Sequence, residues 1–119
     1  IVVVTPQISS LRDADKVVTL LKSYQLSSVK LLVNKVRGEQ LAVGQGLSPI
    51  QIADLLKTPI LGVLPQENEI ENGDFCGLHP AVRLLARNIL SKDKIKLYDT
   101  TRKYTGVVGA LRRVLKRSI

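Results

Sequence analysis

Tryptophan and methionine are absent from this 119-residue chain, and phenylalanine and cysteine occur once each. With aromatics at 3%, the stacking platforms that hold single-stranded nucleic acid are in short supply. Cys76 has no partner for a disulfide framework, which suits a reducing compartment. Cys76-Gly77-Leu78-His79 has metal-like spacing, but two ligands fall short of the four a structural site needs, so both read as ordinary loop residues. The one histidine lies in a loop beside the only cysteine, which makes no credible Ser-His-Asp set. No apolar run approaches the roughly 20 residues that span a bilayer. No initiator Met precedes Ile1, and no secretory leader is legible in this span. A chain that opens directly on a β-branched run is expected to be a piece of a longer one.

What the chain does have is an uneven charge. The net charge is +8, yet residues 1–91 hold nine Lys/Arg against eight Asp/Glu, leaving +1. Residues 92–119 hold nine against two, leaving +7. A near-neutral body with a strongly basic tail points to an anionic partner, either phosphates or acidic lipid headgroups.

The apolar pattern alternates between short β-branched runs and helical periods. Ile1–Val4, Val29–Val33 and Ile60–Leu64 read as strands buried on both faces. Between them, Leu11, Ala14, Val17, Val18 and Leu21 recur at helical spacing, with Ser9 or Ser10 as the expected cap. Gly38, Gly44 and Gly46 mark a loop before Ser48-Pro49, a capping hydroxyl followed by Pro at the first helical position. The helix from Pro49 to Leu56 is expected to bury Ile50, Ile52, Ala53, Leu55 and Leu56. After a polar loop over 65–79, Pro80–Leu90 forms another amphipathic helix. Strand, helix, strand, helix, strand, helix predicts an α/β fold with a parallel sheet. Three strands make half a doubly wound sheet, and one strand edge calls for a neighbour beyond this sequence.

Two constellations carry chemistry. Asn34-Lys35-Val36-Arg37 closes the second strand, and ligands of open α/β sheets bind at that end. An Asn amide is both donor and acceptor and can match the edge of adenine; a guanine reader would want a carboxylate where Arg37 stands. Pro65-Gln66-Glu67 closes the third strand and could border the same base. Each stretch, taken alone, also reads as an ordinary strand-terminating turn. The second constellation is the tail. At 100° per residue, Val107, Val108, Leu111, Val114 and Leu115 share an arc of about 120°, while Arg112, Arg113, Lys116 and Arg117 lie on the opposite side. This is how an in-plane membrane helix is built, although a helix packed on its own domain is the plainer alternative. The chain therefore divides into a body over 1–91, a polar linker over 92–105 and an amphipathic helix over 106–119.

Four ordered stretches resemble the MinD septum-site-determining ATPases of the MinD/ParA family. They are Thr5-Pro6-Gln7-Ile8-Ser9-Ser10-Leu11-Arg12-Asp13-Ala14-Asp15-Lys16, Leu32-Val33-Asn34-Lys35-Val36-Arg37, Gly46-Leu47-Ser48 with its helix, and Leu61-Gly62-Val63-Leu64-Pro65-Gln66-Glu67. The resemblance implies the C-terminal half of a Rossmann-like, doubly wound P-loop NTPase fold, followed by a membrane-targeting helix. It implies adenine contacts from Asn34, Pro65 and Glu67. It also places Arg12, Asp13 and Asp15 where regulatory partners bind, although a solvated helix face would look the same. Lipid contact would fall to Val107, Val108, Leu111, Arg112, Arg113, Val114, Leu115, Lys116 and Arg117.

The implied cofactors are ATP and Mg²⁺, whose Gly-rich phosphate loop and Asp ligand do not occur in this span. Since phosphate-binding groups supply most of phosphoryl-transfer catalysis, no catalytic residue is assigned and the span alone is expected to be inactive. The implied partners are an anionic membrane surface, a second copy in an ATP-dependent dimer, a MinC-like inhibitor and a MinE-like activator. Location would be cytoplasmic, peripheral on the inner face of the plasma membrane. A ParA-like or flagellar-number role, with the basic tail on nucleic acid, is the alternative, as is an inactive piece.

Overall fold

A computed structural model describes residues 1–73, 79–91 and 94–117, the last without its side chain. Cys76 therefore lies outside the described residues. The elements are β1 (Val2–Val4), α1 (Ile8–Ser23), β2 (Leu31–Val36), α2 (Gly38–Leu41), α3 (Pro49–Leu56), β3 (Ile60–Pro65), α4 (Asn68–Glu71), α5 (Pro80–Leu90), a 3₁₀ turn (Arg102–Tyr104) and α6 (Gly106–Arg117). The three strands pair in parallel in the order β1-β2-β3, with Val3 opposite Leu32 and Val33 opposite Val63. The expected α/β fold is the observed one.

One face of the sheet packs on α1 and α3. Val4, Leu31, Val33 and Val63 from the strands meet Leu11, Ala14, Val18, Ile52 and Leu56 from the helices in one cluster. The buried stripes are narrower than the periodicity suggests. Val17 stays 44% exposed, and Ile50 and Leu55 face solvent at 65% and 60%. An eight-residue helix seats only one stripe, here Ile52 and Leu56 at i and i+4. The Ser48 start is as expected and goes further: its hydroxyl accepts from the Gln51 N–H while the Gln51 side chain accepts from the Ser48 N–H. At α1 the expected serine cap is not used. Gln7 precedes the helix without a side-chain cap, and the Ser10 hydroxyl accepts from the Thr5 N–H instead.

Because side chains alternate along a strand, Gly62 faces away from Val63, and α5 covers it there. A Cβ on Gly62 would fall 2.4 Å from Leu85 Cδ1, so the absent side chain lets helix and strand approach. β2 is interrupted near its end. Val33 to Val36 spans three residues opposite the two-residue step from Val63 to Pro65, and Lys35 takes a left-handed φ of 55°. That bulge returns Val36 to the buried face already occupied by Val33.

The stretch read as a polar linker is largely packed onto the body. Buried Asn88 of α5 donates to the carbonyls of Leu61 (2.9 Å) and Lys96 (2.8 Å) and accepts from the Lys96 N–H. Thr100 and Tyr104 are buried, with Thr100 lying against α2. Gly38 is not part of an open loop but opens α2, where a Cβ would sit 1.8 Å from the Thr100 carbonyl oxygen. The Glu67 carboxylate ties the end of this segment down, accepting from His79 Nε2 at 2.6 Å and from the Lys103 ammonium. Periodicity could not reveal this attachment, because it is made by polar groups at irregular spacing.

Two outcomes follow. Gly38→Ala forces its Cβ into main chain that cannot swing aside, and should lower stability by about 1–3 kcal/mol in denaturant titration. Burial pushes the Glu67 carboxyl up, but the Lys103 and His79 hydrogen bonds and the Lys103 charge outweigh it and hold it below its ordinary value of 4.5. Burial pushes Lys103 down, and Glu67 outweighs that, raising it above 10.5. A depressed carboxylate stabilises the fold above its unfolded value and ceases to as pH falls through its folded one. A raised ammonium stabilises below its unfolded value and ceases to as pH rises through its folded one. The melting temperature followed by circular dichroism should thus be flat from about pH 6 to 9 and fall below about pH 4.5, with Glu67→Gln lowering the plateau and shortening the acid fall.

Candidate functional site

The carboxyl ends of the three parallel strands converge on a cavity of about 360 Å³. Its wall comes from Thr5, Pro6 and Gln7 after β1, Lys35, Val36 and Arg37 at the end of β2, Gln40 and Leu41 of α2, Gln45 to Leu47, and Gln66 after β3. Parallel order puts these ends on one side, and the Lys35 bulge aligns β2's last residues with the opening. The wall residues include four primary amides (Gln7, Gln40, Gln45 and Gln66), a guanidinium and an ammonium, a donor-rich lining with acceptors interleaved.

Of the three residues assigned to adenine, none lines this cavity. Asn34 is half-buried, and its side-chain oxygen accepts from the Lys35 N–H at 2.9 Å, stabilising the bulge. Pro65 is buried opposite Val36. The Glu67 carboxylate is held by His79 and Lys103. Their immediate neighbours Lys35 and Gln66 contribute to the wall instead, together with Arg37. Glu67, Glu69 and His79 approach within 4.8 Å in an arrangement that could suggest a metal. His79 Nδ1 accepts from the Ala81 N–H, so Nε2 carries the ring proton and gives it to Glu67. Both ring nitrogens are thereby committed, and Glu67, His79 and the Ala81 N–H form a hydrogen-bond chain at the start of α5.

Beside the cavity lies the group that sequence reading missed. Glu39, in the first turn of α2, is fully buried at 0% exposure. Its Oε1 pairs with Arg37 Nε at 2.7 Å, and Lys116 Nζ lies 3.2 Å from Oε2, an oxygen that accepts no well-directed hydrogen bond. Burial pushes this carboxyl up. Its own main-chain N–H, Arg37 and Lys116 outweigh that and hold it below the usual carboxylate value. The Lys116 ammonium also donates to the Gln66 carbonyl (3.0 Å) and to the Tyr104 hydroxyl (3.1 Å), lying 5.3 Å from the centre of the Tyr104 ring. A lone Glu in a Gly-flanked stretch gives no sequence signal of burial; only contacts from residues 2 and 77 positions away explain it.

These contacts dock α6 by an unexpected side. Gly109 is buried where a Cβ would lie 2.3 Å from the Tyr104 carbonyl carbon, and Arg113 donates to the Tyr104 carbonyl. Gly109, Arg113 and Lys116 form an i, i+4, i+7 stripe facing the domain. Val107 (90% exposed), Val108, Leu111, Val114 and Leu115 all face outward. Arg112 is exposed and donates to the Lys103 carbonyl at 3.4 Å; the Arg117 side chain lies outside the described residues. Two cations expected to face lipid, Arg113 and Lys116, are thus turned toward the protein. Arg12, Asp13 and Asp15 are exposed on α1. Arg12 and Asp15 flank an apolar groove of about 310 Å³ formed with Ile8, Leu11, Leu47 and Leu55. No described helix is long and apolar enough to cross a membrane.

No family model matches the chain. The septum site-determining protein MinD of Synechocystis is 40% identical over 70 residues, which is 59% of this chain and 26% of that protein. The chloroplastic homologue of Arabidopsis thaliana is 34% identical over the same length, 22% of its own. The chain thus spans about a quarter of the length of the curated relatives it matches. Among solved structures, the MinD cell division protein of Aquifex aeolicus superposes with a TM-score of 0.71 at 34% identity, over 81% of this chain and 44% of that one. MinD in the Aquifex MinC:MinD complex gives 0.69 at 33%, with the same coverage. In sequence and in backbone course alike, the chain resembles the C-terminal portion of MinD, within the P-loop NTPase fold.

Proposed function

We propose that this chain is the C-terminal part of a MinD-like ATPase that places the division septum through ATP-dependent dimerisation, membrane binding and recruitment of a division inhibitor. The observation that carries the reading is the inverted seat of α6. A helix on the surface of a globular domain normally turns its apolar stripe inward. Here Gly109, Arg113 and Lys116 face the protein, and five aliphatic residues face out beside exposed Arg112. An outward apolar arc rimmed by cations fits the boundary between acyl chains and acidic headgroups, where each cation is worth roughly 1 kcal/mol. One helix of this size holds lipid marginally, and two presented by a dimer gain from effective concentration.

The amides of Gln40, Gln45 and Gln66 on the cavity wall offer the paired donors and acceptors that a purine edge needs, so the lining fits the base of ATP. Asn34, Pro65 and Glu67 would support that pocket from behind: Asn34 through the bulge, Pro65 through strand pairing, and Glu67 through the packing of 94–105. The phosphates and Mg²⁺ would be held by residues outside this span, and ATP hydrolysis there would set the dimer's lifetime. The groove between α1 and α3, with Arg12 and Asp15 at its edge and Asp13 exposed on the same helix, suits a MinC-like inhibitor or a MinE-like activator; the relative in complex with MinC supports the first. A location on the cytoplasmic face of the membrane follows from the same reading.

Replacing Leu111 with Glu in the full-length protein removes one buried side chain and sets a carboxylate against acidic headgroups. Co-sedimentation with phosphatidylglycerol vesicles in the presence of ATP should fall at least about tenfold. Undiminished binding, or retardation of duplex DNA that Leu111→Glu leaves intact, would favour a nucleic-acid role instead.

A further inference from the structure

We propose that Glu39 is an internal receptor that latches α6 to the domain by its basic side, so that the helix is folded and oriented before its outward arc meets any partner. The proposal concerns how the lipid-facing element is held. It rests on the reading above only for what the outward arc touches.

The carboxylate of Glu39 is wholly buried, and a buried carboxylate persists only when it is paired. Arg37 satisfies one oxygen from within the same turn of chain. The other lies 3.2 Å from an ammonium carried by the far end of α6. No residue closer in sequence than Lys116 is placed there among the described ion pairs, so the last turns of the chain complete the charge balance of the interior. Lys116 meets Glu39, the Gln66 carbonyl, and the hydroxyl and ring of Tyr104, a socket of four groups from three residues for one cation.

A second, steric feature agrees with the first. Gly109 lies two turns before Lys116 on the same stripe and lets the helix approach the main chain at Tyr104 closer than any side chain would allow. The centre of the docking stripe is about 170° around the helix from the centre of the apolar arc. Docking through Lys116 and Gly109 therefore fixes the arc outward as a geometric consequence. A basic amphipathic helix on a free tether would be frayed in solution and would be ordered only by the surface it meets. The latch removes that ordering step.

The test is hydrogen exchange of the protein in solution without lipid, read at the amides of 107–117. The latch predicts protected α6 amides in the unaltered protein. Lys116→Gln and Gly109→Leu should each speed their exchange by roughly tenfold while the amides of β2 and α1 keep their rates. Glu39→Gln should do the same, and Glu39→Gln with Lys116→Gln should add little beyond either single change. Because both helix variants lie outside the hydrophobic core, they report even if Glu39→Gln compromises folding. Exchange of α6 at unprotected rates in the unaltered protein, or rates unmoved by Lys116→Gln, would overturn the latch. Phosphatidylglycerol vesicle binding is measured in parallel. Protected, Lys116-dependent α6 amides without vesicle binding would sink the membrane reading and leave the latch standing. Vesicle binding with α6 unprotected in solution would do the reverse.

Discussion

A carboxylate at zero exposure, set between a guanidinium and an ammonium, is the constraint to which the upper half of this structure answers. Glu39 loses its hydration completely, and isolated ionised groups in a protein interior are too costly to persist. Arg37 and Lys116 provide the compensation. Arg37 is held by the end of β2, which the Lys35 bulge delivers to the same level as the ends of β1 and β3. Lys116 arrives only if the chain from Asn88 onward is pinned in place. The Asn88 clasp on Lys96, the Gly38–Thr100 approach and the burial of Tyr104 guide it there. Removing either cation leaves one oxygen of the carboxylate without its charged partner while the other stays paired.

The polar assembly sits on a conventional apolar base. The cluster on the α1 and α3 face holds the strands in register, and Gly62 lets α5 close the other face over β3. Since the helices on both faces hang from parallel strands, every strand delivers its last residue to the same edge. That topology brings Thr5, Arg37 and Gln66 to one cavity although they lie about 30 residues apart in sequence. It also gives Glu67 its place, one residue beyond the cavity wall, where it fastens His79 and Lys103. Two acidic residues thus each gather a cation from the C-terminal third, and the +7 charge excess of residues 92–119 is partly spent inside the fold.

How much of this could be read from the sequence depends on which force made it. The three strands, the Ser48-Pro49 start and the helical periods were legible because hydrophobic spacing records burial directly. The excess assigned to Ile50 and Leu55 arose because the eight-residue α3 has room to bury only one stripe, and composition does not say which; Val17 lies outside the buried Leu11, Ala14 and Val18 stripe of α1. The strand-end location of the cavity was legible from topology. The residues of the cavity wall were not: they include Lys35 and Gln66, one position from Asn34, Pro65 and Glu67, and on β2 the reason is a bulge at Lys35 that shifts side-chain direction without leaving any mark in apolar spacing. Glu39 was invisible because its burial depends on Lys116, 77 positions later. The amphipathic arc of α6 was correctly drawn, but which side it turns to the protein depends on Gly109 and on a buried acceptor that no helical wheel contains.

The shared wall between the cavity and the α6 seat has a thermodynamic consequence. Arg37 lines the cavity and also pairs with Glu39; Gln66 lines the cavity and its carbonyl accepts from Lys116. Any occupant that draws on either group changes the free energy of seating α6, and by reciprocity the seated helix changes the free energy of that occupant by the same amount. The sign depends on chemistry. An anionic group that pulls Arg37 toward the cavity leaves Glu39 leaning more heavily on Lys116 and tightens the seat. An amide or base edge that claims the Gln66 carbonyl competes with Lys116 and loosens it. An outward-facing apolar helix and a strand-end cavity are therefore not independent fittings on a common scaffold, because Arg37 and Gln66 belong to both, one pairing with Glu39 and the other accepting from Lys116.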